Sequence, residues 1–207
     1  ECPTTVLDIC AHHGYFSLLA ARCVGQEGRV YAFEPVPENF RILKKNIELN
    51  QFKNVFPLNK AVSDKNTTMP FYFRSPTGTG GSFLQTHRSN EESVEIECVT
   101  VDDLLDGKPV DVLKMDVEGF EPFALIGMKQ TLRQKEHMVL FLELAPDHLN
   151  RAGGTTREYL DQLEKAGLTC QFISEERRCL VPTSTELTPE QGFSNGYCNI
   201  YCIKPGT

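Results

Sequence analysis

No run of apolar residues in this chain approaches the ~20 needed to span a bilayer, which excludes a membrane-spanning helix. There is no excess of basic charge. Twenty-one Lys and Arg stand against 28 Asp and Glu, for a net charge of -7, and the pI near 5.3 argues against a broad nucleic-acid surface. A small or neutral partner fits such a surface better. No two of the eight cysteines are spaced C-x-x-C, so neither a zinc ribbon nor a thioredoxin-type motif is present. Cys10, Cys98, Cys198 and Cys202 fall within apolar strand-like runs, where free cysteine behaves as a small hydrophobe, and the expectation is reduced, intracellular thiols. There is no internal repeat, no domain boundary and no initiating Met. The reading is one domain over 1–207 cut from a longer chain, with a cytoplasmic location.

What is present alternates between strand and helix. Residues 4–10 and 28–34 read as β-branched strands, followed by helical spacing over 15–24 and 37–50. Pro37 suits the first turn of the second helix, and Phe40, Leu43, Ile47 and Leu49 are expected to face inward. A third strand is predicted over 54–62. Two further strands, 68–74 and 93–101, form a small β insert over 67–101 around a Gly/Ser/Thr-rich loop at 74–92. That loop carries Phe83, His87 and Arg88, and the expectation is that it closes over an acceptor. The alternation resumes with a strand at 110–118, a helix at 120–132, a strand at 137–145 and a helix at 155–167. Strands over 168–173 and 197–204 close the chain. Such alternation implies a mostly parallel sheet with helices on both faces and a ligand site beyond the carboxyl ends of the strands.

The polar outliers fall at those strand ends. Glu34 follows the second strand, 20 residues after Gly14, where an acid accepts hydrogen bonds from the two hydroxyls of a ribose. The first turn reads Asp8-x-Cys10-x-His12-x-Gly14, with one glycine where a nucleotide turn normally has several. A dehydrogenase would carry G-x-G-x-x-G there, and it does not. In "VDVLKMDVEGFEPFALIGM", Lys114 and Asp116 share a strand face, while Glu118 and Glu121 sit where strand becomes helix and complement its dipole. Glu143 lies inside "VLFLELAP", where an unpaired carboxylate would be costly.

The blocks "VLDICAHHGYFSLLAA", "VYAFEPVPENF", "NKAVSD", "TVDDLL" and "DVLKMDVEGFEPFALIGM" occur in order over about residues 4–128 and together resemble the FkbM-type family of S-adenosylmethionine-dependent methyltransferases. The resemblance implies a Rossmann-like, doubly wound α/β fold with a seven-stranded sheet, mostly parallel with an antiparallel last strand. It implies O-methylation of a hydroxyl, most often on a sugar or polyketide. On the matching positions, Asp8, Cys10, His12 and Gly14 hold the methionine end of the cofactor, and Glu34 binds the ribose. Pro35 and Val36 flank the adenine, and Asn59, Lys60 and Ala61 read it. The family turn usually has glycine and asparagine where Cys10 and His12 stand. Asp116, Glu118, Glu143, His148 and His12 are candidates for proton transfer. Asp116 and Glu143 together offer oxygen ligands to a divalent cation, Mg or Mn; the alternative is pairing with Lys114 or an arginine. A non-catalytic scaffold built on the same fold is the competing reading.

Overall fold

A computed structural model describes residues 3–73, 81, 83, 92–134, 137–174, 178–183 and 196–205. The chain opens with β1 (Thr5–Ile9), α1 (Tyr15–Val24), β2 (Arg29–Phe33), α2 (Pro37–Leu49) and β3 (Val55–Leu58). β4 (Ala61–Val62), β5 (Thr67–Phe73) and β6 (Glu92–Val99) follow, then α3 (Val101–Leu105), β7 (Val112–Met115), α4 (Glu121–Ile126) and α5 (Lys129–Gln134). The last third holds β8 (Met138–Leu144), α6 (Pro146–Arg151), α7 (Thr156–Lys165), β9 (Thr169–Ser174), β10 (Cys179–Pro182) and β11 (Cys198–Lys204).

The main sheet runs β10-β9-β11-β8-β7-β1-β2-β3, and β4-β6-β5 form a separate three-stranded insert. β3, β2, β1, β7 and β8 are parallel neighbours, while β11 inserts antiparallel between β8 and β9. The expected parallel core and antiparallel last strand are therefore both present. The strand count is eight rather than seven because the short "CLVP" segment pairs with the β9 edge. The strand expected over 54–62 divides. Its last two residues, Ala61 and Val62, leave the main sheet and pair with β6.

Alternation sorts the core. Leu7, Leu113 and Leu140 sit opposite one another across β1, β7 and β8, each fully buried under α4, α5 and α7. Full burial of each such side chain contributes about 1.5–3 kcal/mol. On the other face, Val6, Val30 and Val55 pack against Leu18, Ala21, Leu43 and Ile47 of α1 and α2. Leu49 is 68% exposed; two residues past Ile47 it has turned about 200° from the buried stripe. The helix expected over 120–132 is two helices, broken at Gly127, the cap that ends α4. The face of β8 that carries Phe141 and Glu143 is only partly covered, with Phe141 left 43% exposed.

The thiol expectation is corrected at one pair. Cys170 and Cys202 face each other across β9 and β11 and form a disulfide. Their separation of 32 residues hides in sequence an adjacency that strand pairing creates. Cys10, Cys23, Cys98, Cys179 and Cys198 are free. No helix among the described residues is long and apolar enough to cross a membrane.

Candidate functional site

The turn after β1 carries three left-handed residues in alternation: Cys10 (φ 66°), His12 (φ 51°) and Gly14 (φ 91°). Gly14 is required twice over. Its φ is disfavoured for any side chain, and a Cβ there would lie 2.6 Å from Leu43 Cδ1 of α2. Cys10 and His12 take the same hand without glycine's freedom, which costs roughly 1–2 kcal/mol at each. The loop follows a glycine-type path although two of its glycine-type positions carry side chains.

That path aims backbone donors at Glu34. The His12 N–H donates to Glu34 Oε2 at 2.7 Å, and the Val36 N–H donates to Oε1 at 2.9 Å. Asn39, buried at the start of α2, adds a side-chain hydrogen bond. Glu34 is 2% exposed, and burial pushes its carboxyl up to about 7 against the pull of these donors. Asp8 is buried one strand away. Ser17 Oγ donates to its Oδ2 at 2.5 Å, Lys114 Nζ stands 3.8 Å from Oδ1, and burial raises its pKa. Asp8 thus supports the turn from below and does not line the pocket.

Two adjoining pockets open on this turn. One, of about 490 Å³, is lined by Cys10, His12, Glu34, Asn39, Asp116 and Glu118. The other, of about 320 Å³, is bounded by Pro35, Lys60, Ala61, Val62 and Phe83, with Cys10, Phe71 and Gly81 common to both. Lys60 and Ala61 both line the second pocket, and the Lys60 ammonium pairs with Glu97 of β6. Asn59 does not line it. Its Nδ2 donates to the carbonyls of Glu34 and Pro35, both at 2.9 Å, and so fixes the end of β2. Phe71 and Phe73 from the insert wall the site, and sequence reasoning missed both. Their period-2 spacing on β5 was the available signal. Gly81 and Phe83 also line the site; His87, Arg88 and the rest of the predicted closing loop lie outside the described residues.

Asp116 and Glu118 line the far end and belong to an acid cluster whose other members, Glu121 and Glu143, are not among the residues lining either pocket; nor is His148. Glu118 adopts φ 56°, and Gly119 beside it (φ 98°) packs so closely on α6 that a Cβ would lie 2.5 Å from the His148 carbonyl. This contact brings Glu118 Oε2 to 2.7 Å from His148 Nδ1. Burial lowers the His148 pKa and, with Asp116, raises that of Glu118, so the imidazole is neutral near pH 7. Glu143 hydrogen-bonds Asp116, and burial together with the charges of Asp116, Glu118 and Glu121 pushes it up to about 8. Glu121 is 3% exposed, accepts from the Val117 N–H at 3.0 Å and is pushed by burial to about 7. Glu118, Glu143 and His148 bring ligand atoms within 4.8 Å of one another, a convergence that includes Glu143 of the expected metal pair and leaves Asp116 as its neighbour.

Glu34, Glu121 and Glu143 share a consequence for stability. Each binds its proton more tightly folded than unfolded, so its contribution is complete below about 4.5 and is lost as pH rises through 7 or 8. The Tm of the ligand-free chain is expected to fall steadily from about pH 5 to pH 8 in scanning calorimetry at fixed ionic strength. A flat or rising Tm across that window contradicts the burial described for these acids.

Comparison with known proteins converges on one family. The family described as Methyltransferase FkbM domain matches residues 8–170. Methyltransferase sdnD of Sordaria araneosa is 31% identical over 159 residues, covering 60% of this chain and 60% of that protein. Hexuronic acid methyltransferase AglP of Haloferax volcanii is 30% identical over 125 residues, covering 58% of this chain and 50% of its own. The chain thus spans little more than half the length of these relatives. Among solved structures, methyltransferase FkbM from Methylobacillus flagellatus KT matches with a TM-score of 0.59 at 16% identity, over 96% of this chain and 43% of that one. A SAM-dependent O-methyltransferase from Thermotoga maritima matches at 0.54 and 13% identity, over 100% of this chain and 61% of that one. At such identities the likeness is one of fold.

Proposed function

This chain belongs to the methyltransferase FkbM domain family, and from that premise we propose that it transfers a methyl group from S-adenosylmethionine to a hydroxyl oxygen of a sugar. The observation that carries the reading is the continuity of one pocket. Glu34 and the left-handed turn stand at one end of it, and Asp116 and Glu118 at the other. A buried acid held by the His12 and Val36 N–H groups and by Asn39 keeps acceptor capacity for a ribose hydroxyl, and the apolar second pocket suits a flat base. The sugar acceptor is supported by AglP, which is described as a hexuronic acid methyltransferase, and by an acidic chain that disfavours nucleic acid.

S-adenosylmethionine supplies the methyl group as a sulfonium, open to in-line displacement. The protein's task is then positioning and proton removal. Glu34 fixes the ribose, and the backbone around Lys60 and Ala61 borders the base. Glu143, hydrogen-bonded to Asp116, takes the proton from the acceptor hydroxyl, and the neutral His148 holds Glu118 in place. Phe71 and Phe83 exclude water from the cofactor side. Glu118, Glu143 and His148 also form a mixed nitrogen and oxygen donor set that fits a divalent cation such as Mn or Mg; with the cation bound, Glu143 would serve as a ligand, and polarisation of the acceptor oxygen by the cation would take the place of proton removal by its carboxylate.

The deciding experiment is calorimetry with S-adenosylmethionine, followed by a labelled-methyl transfer screen over uronic acids and neutral sugars, with and without EDTA. Micromolar binding and methylation of a sugar hydroxyl are expected, with EDTA lowering turnover and Mn restoring it. Absence of micromolar cofactor binding replaces this reading with a scaffold that keeps the fold alone, the alternative raised by Cys10 and His12.

A further inference from the structure

Lys114 is the one cation whose ammonium reaches the turn among the described residues, and the reading above gives it no role. It sits on β7 directly opposite Asp8 of β1, on the same face. From there its Nζ donates to the Cys10 carbonyl at 3.2 Å, stands 3.8 Å from Asp8 Oδ1 and lies 5.5 Å from the centre of the Phe16 ring on α1. These three contacts tie β7, the turn and the first turn of α1 to a single atom. The anchored carbonyl belongs to the first residue forced into the left-handed region without being glycine. A glycine there would hold the conformation unaided; cysteine does not, and the bond to its carbonyl opposes relaxation to negative φ. Two residues on, the His12 N–H must meet Glu34, so a relaxed Cys10 would withdraw a donor from the ribose acid.

We propose that Lys114 is a positioning residue for cofactor binding: its ammonium clamps the Cys10 carbonyl and thereby keeps the turn, and through it Glu34, in register. The inference rests on the reading that this pocket binds S-adenosylmethionine. Lysine clamp and non-glycine turn are then one device, in which a long side chain from the neighbouring strand replaces the freedom a glycine would have given. Lys114 itself touches no reacting atom.

A double-mutant cycle tests the coupling. Affinities for S-adenosylmethionine and S-adenosylhomocysteine are measured by calorimetry for the unmodified chain, Lys114→Met, Cys10→Gly and the double variant. Loss of a bond from a charged donor predicts that Lys114→Met weakens binding about tenfold or more. In the Cys10→Gly background the same change is expected to cost less than about threefold, because glycine holds the turn without the clamp. An equal loss in both backgrounds means that Lys114 acts only by its charge, and overturns the proposal. So does a Lys114→Met variant that binds as the unmodified chain does. Should Lys114→Met fail to fold, recovery of fold and binding in the double variant supports the clamp, and failure of the double variant overturns it. Lack of cofactor binding by the unmodified chain is a different result, which removes the functional reading itself.

Discussion

Replacing Glu143 with glutamine is expected to lower kcat by roughly 10²–10⁴-fold while changing the affinity for S-adenosylmethionine less than about threefold. Glutamine keeps the volume and polarity of the side chain but cannot accept a proton. Glu143 projects from a partly covered face of β8, and burial, reinforced by the charges of Asp116, Glu118 and Glu121, pushes its carboxyl up to about 8. Ionising it beside Asp116, Glu118 and Glu121 is unfavourable, and the same repulsion strengthens it as a base. With EDTA present, so that Glu143 is free of any cation, the rate at saturating substrates is expected to rise with pH and level off above about 8, and this limb should vanish in Glu143→Gln. Steady-state kinetics across pH checks both statements. Turnover of Glu143→Gln within about fivefold of the unmodified chain, with an unchanged profile, removes Glu143 from proton transfer.

Glu34→Ala is expected to act on the other substrate, raising the Kd for S-adenosylmethionine roughly 100- to 1,000-fold. The magnitude follows from the ribose hydrogen bonds proposed for this carboxyl, each contributing about 1.5–3 kcal/mol when the acceptor is ionised, softened by water entering the vacated space. The same change leaves the N–H groups of His12 and Val36 without their carboxylate, so the turn loosens as well. Binding by calorimetry, read beside kcat at saturating cofactor, separates this role from chemistry: Kd should move far more than kcat. A Kd within about fivefold of the unmodified chain contradicts the ribose role.

Much of this site was legible in the sequence because strand ends in an α/β sheet are where ligands bind, and polar residues there interrupt apolar runs. Glu34 and Asp116 stand out in that way. The resemblance to the FkbM-type family added the cofactor, and the family match over residues 8–170 bears it out. Other residues changed role once contacts were visible. Asn59 secures the Glu34 and Pro35 carbonyls, Asp8 lies beneath the turn, and Glu118 pairs with His148 from a helix 30 residues away. The Cys170–Cys202 disulfide was hidden for the same reason: a strand pairing sets it, and no local pattern records it.

By itself the sequence determined the order of strands and helices, the faces they bury and the family. Those follow from apolar periodicity and from short motifs whose members are close along the chain. Only the tertiary structure decided how a turn holding Cys10 and His12 keeps a left-handed path. That answer depends on Lys114 from the neighbouring strand and on Leu43 pressed against Gly14, contacts between residues 104 and 29 positions apart. Backbone conformation at a non-glycine residue is a balance between local strain and distant support, and distant support exists only once the sheet has formed.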